Sequence, residues 1–160
     1  MKLTYLIILA LLYSHNLSAA ERLNDSASPR QRVMVSLDWV ERDIATIDPG
    51  DKLHAMVTHI LGLEIRLDTS AFIGKTARIF FTLPTTHILG INNPNGMRMT
   101  WTTQGVFADG SVIPGNRSQI FQGEINDPVL LDIFNITLYI DARYFTSGLE
   151  FNPIYEIEVQ

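Results

Sequence analysis

The sequence predicts an all-β protein built as an antiparallel β-sandwich, on three observations. Segment after segment alternates apolar and polar residues with the period of two that a half-buried strand requires. Clusters of Gly, Pro, Asn and Asp separate these segments at short spacing, the punctuation of a sandwich. No window keeps a 3.6-residue apolar stripe for long; "VERDIATI" (Val40 to Ile47) is the best helical candidate, and it is short.

The elements follow in order. Residues 1–20 read as a signal peptide: Lys2 is a basic start, "YLIILALLY" (Tyr5 to Tyr13) is an apolar core too short to span a bilayer, and "LSAA" offers small residues for cleavage before Glu21. Residues 21–41 divide into a polar, flexible leader, "ERLNDSASPRQ", and an alternating strand, "RVMVSLDWV". In that strand Val33, Val35, Leu37 and Trp39 share one face, and Met34, Ser36, Asp38 and Val40 the other. Residues 42–160 carry the remaining strands. These are "AMVTHILGLEIRLDT" from Ala55, interrupted at Gly62, and "ARIFFTLP" from Ala77, stopped by Pro84. "MRMTWTTQGVF" from Met97, "IFQGEI" from Ile120, "FNITLYIDARY" from Phe134 and "IYEIEVQ" from Ile154 complete the set. Turn formers lie between them, in "DPGD", "NNPNG", "ADGS", "IPGN", "NDP" and "TSG".

Charge and composition narrow the function. The net charge is −5 over 160 residues, with no Lys/Arg run or basic stripe, so nucleic acid is not an expected partner. Cysteine is absent, which in an exported domain leaves burial, sheet hydrogen bonds or a partner to supply what disulfides supply elsewhere.

Candidate chemistry is sparse. His54 and His59 stand five apart on a strand, so they face opposite ways and do not converge on a metal; His87 reads as a loop residue. The carboxylates are scattered, and Glu156 and Glu158 alternate with Tyr155, Ile157 and Val159 as one wet and one buried face. There is no G-x-S-x-G elbow, no phosphate-cradling glycine loop and no thiol nucleophile. Trp101 reads as core first and as a sugar-stacking platform second. The expectation is a non-enzymatic chain without cofactor or metal.

The strand near the start then carries the functional reading. Either it is the first strand of a self-sufficient sandwich, or it is given to the open edge of another molecule, with Val33, Val35, Leu37 and Trp39 filling a row of pockets. With export, no cysteine, an all-β body and the "V-x-V-x-L-D" form of this segment, the chain resembles subunits of chaperone–usher fimbriae, and among them the alternate, colonisation-factor class. The closing "FTSGLEFNPIYEIEVQ" is similar to the glycine-then-β ending of such pilins.

The resemblance implies an immunoglobulin-like sandwich lacking its final strand. A periplasmic chaperone would lend that strand, an outer-membrane usher would guide assembly, and a neighbouring pilus subunit would supply the permanent replacement. Delivery would be through the periplasm to the cell surface, with a role in adhesion and a host receptor as a further partner. The donated side chains would be Val33, Val35, Leu37 and Trp39, and the groove wall Tyr155, Ile157 and Val159. The long leader and the bulk of Trp39 leave room for a minor or tip-proximal subunit. The rival expectation is a self-complete secreted module that binds carbohydrate or protein through its loops, with Trp101 or Tyr144 as platform.

Overall fold

The computed structural model describes residues 19–29, 37–40 and 55–160. Residues 1–18 of the expected signal peptide, Val33, Val35, His54, the "DPGD" turn and all but Val40 of the helical candidate lie outside the described residues.

The described residues form antiparallel sheets and 3-10 turns, with no α-helix. The strands are β1 (Glu21–Arg22), β2 (Asp38–Trp39), β3 (Ala55–Asp68), β4 (Thr76–Thr82), β5 (Ile88–Ile91), β6 (Met97–Thr102), β7 (Gly110–Val112), β8 (Arg117–Glu124), β9 (Val129–Asp141), β10 (Phe145–Phe151) and β11 (Ile154–Val159). One sheet runs β1-β11-β4-β8, a second β2-β3-β9-β6-β7, and β10 pairs with β5 as a small third ribbon.

The long strand β3 explains how an imperfect alternation still makes a regular sheet. Thr58 and Ile60 are buried before Gly62, and Ile65 and Leu67 after it, so the inward set changes from even to odd numbers. The register with β9 slips between Ile60 and Leu63, and Gly62 sits there at φ 71°. Its N–H donates to Asn135 Oδ1 at 3.0 Å. A bulge is what permits that change of phase, and glycine is the residue that enters the left-handed region without strain.

The two larger sheets meet across one apolar core. Phe81 of β4 lies 4.8 Å, centroid to centroid, from Trp101 of β6, and meets Tyr155 of β11 edge-on at 5.5 Å. Trp101 stacks on Phe134 of β9 at 6.1 Å. Alternation on β9 buries Leu130, Asp132, Phe134, Ile136, Leu138 and Ile140 in turn. The arrangement is sandwich-like, with side chains from two inner faces interdigitating.

Two sequence expectations change here, and for Trp101 the core reading holds over its alternative. The leader is not loose at its start: Glu21 and Arg22 pair with Ile157 and Glu156, and Leu23 is buried. One leucine with an apolar slot to enter is enough to fix a polar stretch whose backbone finds a free sheet edge. "TSG" is not a turn between strands but lies inside β10, where Gly148 takes φ 30° and the register with β5 shifts. Trp101 is no platform: it is 3% exposed, and its indole N–H donates to Ala108 O at 3.0 Å.

Candidate functional site

The candidate site lies where the outer edges of β11 and β3 run past one another. Along β11, the described partner is β1, two residues long; Leu23 N–H adds a bond to Tyr155 O at 2.8 Å. Along β3, Asp38 and Trp39 pair with Val57 and Met56, and Val40 N–H donates to Ala55 O at 2.9 Å. At the other end of β3, Asp68 N–H donates to Asn24 O at 2.9 Å. Ser28 Oγ accepts from Arg66 N–H at 2.8 Å and donates to Arg66 O at 3.1 Å. Among the described residues, β3 carries no strand partner on this edge between those two ends.

Between the edges lies a cavity of about 780 Å³. Its apolar lining includes Ile60 and Ile65 of β3, Ile136 and Leu138 of β9, Phe81 of β4, Tyr155 of β11, and Leu149 and Phe151 of β10. Its rim is polar, with Arg22, Asp25, Ser28 and Glu150. The walls thus come from both larger sheets and from β10, and the space is half open to solvent, with apolar side chains at its floor and polar ones at its mouth.

Tyr155 is the chemically distinctive wall residue. It is 2% exposed, yet its hydroxyl has no hydrogen-bond partner among the described residues. Burial pushes its ionisation well above the ordinary phenol range, and the carboxylate of Asp25 adds to the shift. Asp68, at the far end of the edge, is held below the ordinary carboxylate range by the Ser70 hydroxyl and then by the Ser70 N–H.

The residues singled out in the sequence fall unevenly around this site. Leu37 is half-buried and packs against the common core, Trp39 is 47% exposed, and Val33 and Val35 lie outside the described residues. Tyr155 lines the cavity; Ile157 is buried nearby in the core, and Val159 is half-buried. Glu156 and Glu158 serve the sheet surface: Thr82 Oγ1 donates to Glu156 at 2.6 Å, and Glu158 holds Arg78 at 2.9 Å and Arg117 at 2.8 Å. His59 is exposed, with its Nδ1 3.0 Å from Thr137 Oγ1. Among the described residues no group of three or more His, Cys, Asp or Glu side chains comes together.

Three contributors, Leu23, Ile136 and Leu138, are not singled out by the sequence. Leu23 was legible in principle, as the one leucine in an otherwise polar stretch. Ile136 and Leu138 were readable as inward strand residues, but nothing local tells an inward residue that meets a neighbour from one that meets a void. A scan against protein-family models gives no match, and searches of curated proteins and of solved structures find none similar to this chain.

Proposed function

We propose that this chain is a structural, non-enzymatic subunit of a bacterial surface fimbria, assembled by donor-strand complementation. The carrying observation is the space between two sheet edges whose described partners on that side are two-residue strands, with apolar side chains at its floor and a polar rim. Such an edge presents unpaired backbone groups beside exposed apolar surface, and an added strand relieves both costs at once. The added strand is the "RVMVSLDWV" of another subunit, with alternate side chains entering the cavity. A periplasmic chaperone would cover the same edge before assembly, the usher would order the exchange, and adhesion to a host receptor would be the outcome at the cell surface.

The strand order lends support to the immunoglobulin-like, one-strand-short version of this reading. The run β2-β3-β9-β6 corresponds to an A-B-E-D sheet, and β11-β4 to F-C, with the place of strand G beside β11 held by β1 alone. The departure is β8, which lies beside β4 but follows β6 in the chain.

The test appends a copy of Gln31 to Val40 after Gln160 through a short flexible linker and compares thermal unfolding with the plain chain. A donor-strand acceptor gains at least about 10 °C, since a few kcal/mol moves the midpoint of a domain this size by that much, and stops self-associating. A plain chain that is monomeric and indifferent to the added strand rules the proposal out. The cis pairing of β1 and β2 favours one rival, a self-complete module, and that second outcome would establish it.

A further inference from the structure

The donor-strand reading treats the β11 edge as a vacancy, but the chain's own residues 21–23 already stand in part of it. Glu21 and Arg22 face Ile157 and Glu156 in antiparallel register, and Leu23 N–H takes the carbonyl of Tyr155. Leu23 drops into the core at 3% exposure. The chain then crosses from one sheet to the other: Asn24 O accepts from Asp68 N–H on β3. A turn follows, closed by Ser28 N–H to Asp25 O at 2.9 Å and supported by Ser26 N–H to Asn24 Oδ1 at 3.0 Å. Ser28 then fastens to both backbone groups of Arg66. Eight consecutive residues thus strap the two edges together over one end of the cavity, whose rim includes Arg22, Asp25 and Ser28.

We propose that Glu21–Ser28 is a built-in clasp, which holds the β11 edge in cis and must let go before a strand from another copy can take that edge. The inference rests on the donor-strand reading. It adds the step that reading lacks, a reason why subunits do not join as soon as they meet. The clasp and the incoming strand compete for the same atoms. Ladder bonds on an antiparallel edge come from alternate residues, so the rungs of β11 at Tyr155 and Ile157 serve either β1 or an incoming strand, not both.

The clasp is also built to be displaced. Its ladder is two residues long, Arg22 and Asn24 are exposed, and Leu23 is its single deeply buried side chain. A longer strand with several inward apolar residues replaces the same rungs and fills the cavity besides. Exchange therefore runs toward assembly, while the clasp sets how fast it begins. Segments of low local stability are the ones that open for such exchange.

The absence of cysteine makes the test clean. Arg22 and Glu156 stand directly opposite one another, and because Leu23 carries the hydrogen bond to Tyr155, theirs is the closer, non-hydrogen-bonded type of pair. Cysteines at such positions come within disulfide reach. The double variant Arg22→Cys/Glu156→Cys is oxidised to lock the clasp, and uptake of a synthetic peptide spanning Gln31 to Val40 is measured, along with self-association, before and after reduction.

The expected result is at least a tenfold loss of both in the oxidised form, fully restored by reductant. An oxidised form that takes up the strand as fast as the reduced form overturns the clasp and leaves the fimbrial reading standing. If neither the native chain nor the reduced variant takes up the peptide, the fimbrial reading fails, and the clasp as a gate fails with it. A second variant, Leu23→Ser, works in the opposite sense, with uptake at least tenfold faster than native; unchanged or slower uptake counts against the clasp.

Discussion

At the residue scale, two buried polar groups show how differently a core treats oxygen atoms. The Tyr155 hydroxyl is buried against the cavity without a partner among the described residues, so Tyr155 adds ring packing against Phe81 but no hydrogen bond to them. Tyr155→Phe is therefore expected to change stability at neutral pH by less than about 1 kcal/mol, and toward gain, because an unsatisfied hydroxyl is removed. The same substitution alters the alkaline response. The folded-state ionisation is raised above the ordinary value of 10.0, so the unfolded chain releases this proton first. Stability is fully present below that value and is lost as pH rises beyond it. Urea unfolding at about pH 7 and about pH 11 should show a smaller alkaline loss in Tyr155→Phe than in the native chain. A neutral-pH cost above about 2 kcal/mol would mean that the hydroxyl does have a partner in solution. Asp132 is the opposite case. At 2% exposure its carboxylate accepts from the backbone N–H of Gln104 at 3.0 Å, Phe107 at 2.8 Å and Ile133 at 2.7 Å. It fastens the connection after β6 to β9, so Asp132→Ala should cost about 3 kcal/mol by denaturant titration and speed amide exchange at Gln104 and Phe107. Unchanged exchange there would show that the connection holds its shape without the carboxylate.

At the scale of elements, the β6–β7 hairpin carries a sharp steric test. A Cβ on Gly110 would sit 2.6 Å from Trp101 Cζ2 and 3.1 Å from Cε2. The indole cannot retreat easily, being pinned by its bond to Ala108 O and flanked by Phe81 and Phe134. Gly110→Ala should cost about 1–3 kcal/mol by overpacking, seen as a lower unfolding midpoint and a changed tryptophan fluorescence. A midpoint equal to native would show that the ring has room to tilt. The same contrast between local and long-range information separates the strands that were legible from those that were not. The strands β3, β4, β6, β8, β9 and β11 carry enough alternation for one face to declare itself, and they lie where the pattern puts them within a few residues. β9 begins at Val129, five residues before the alternation that starts at Phe134, because Val129 and Leu131 are apolar on the outward side and Asp132 lies inward, so the apolar period breaks there. The short strands β1, β5 and β7 hold too few residues for any period to register, and β10 was hidden by a glycine that reads as a turn. Of the candidate site, the inward set of Tyr155 and Ile157 was legible from alternation. The cavity was not, because it depends on which inward residues of β3, β9 and β4 meet across the sheets.

At the scale of the whole molecule, the fold divides into a centre paired on both sides and margins held by short ladders. β3 lies against β9 for most of its length, β9 lies between β3 and β6, and β4 lies between β11 and β8. The margins with the shortest ladders are β1 and β2, each two residues long, and the small β10–β5 ribbon, while the opposite margins are β7 and the longer β8, which keeps an extended ladder with β4. The proposed exchange of strands requires this division, since edges would have to open without the centre unfolding. Native-state hydrogen exchange reads it directly, because each amide reports the cheapest opening that frees it. The amides of Leu23 and Val40, bonded to Tyr155 O and Ala55 O, should exchange through local opening, at least about a hundredfold faster than those of Ile136 and Leu138 in β9. Adding denaturant should accelerate the β9 amides and leave the marginal ones nearly unchanged, because local opening exposes little surface. Uniform protection across margins and centre would describe a finished domain whose first strands are as permanent as its core, and strand exchange would then have no low-energy state from which to start.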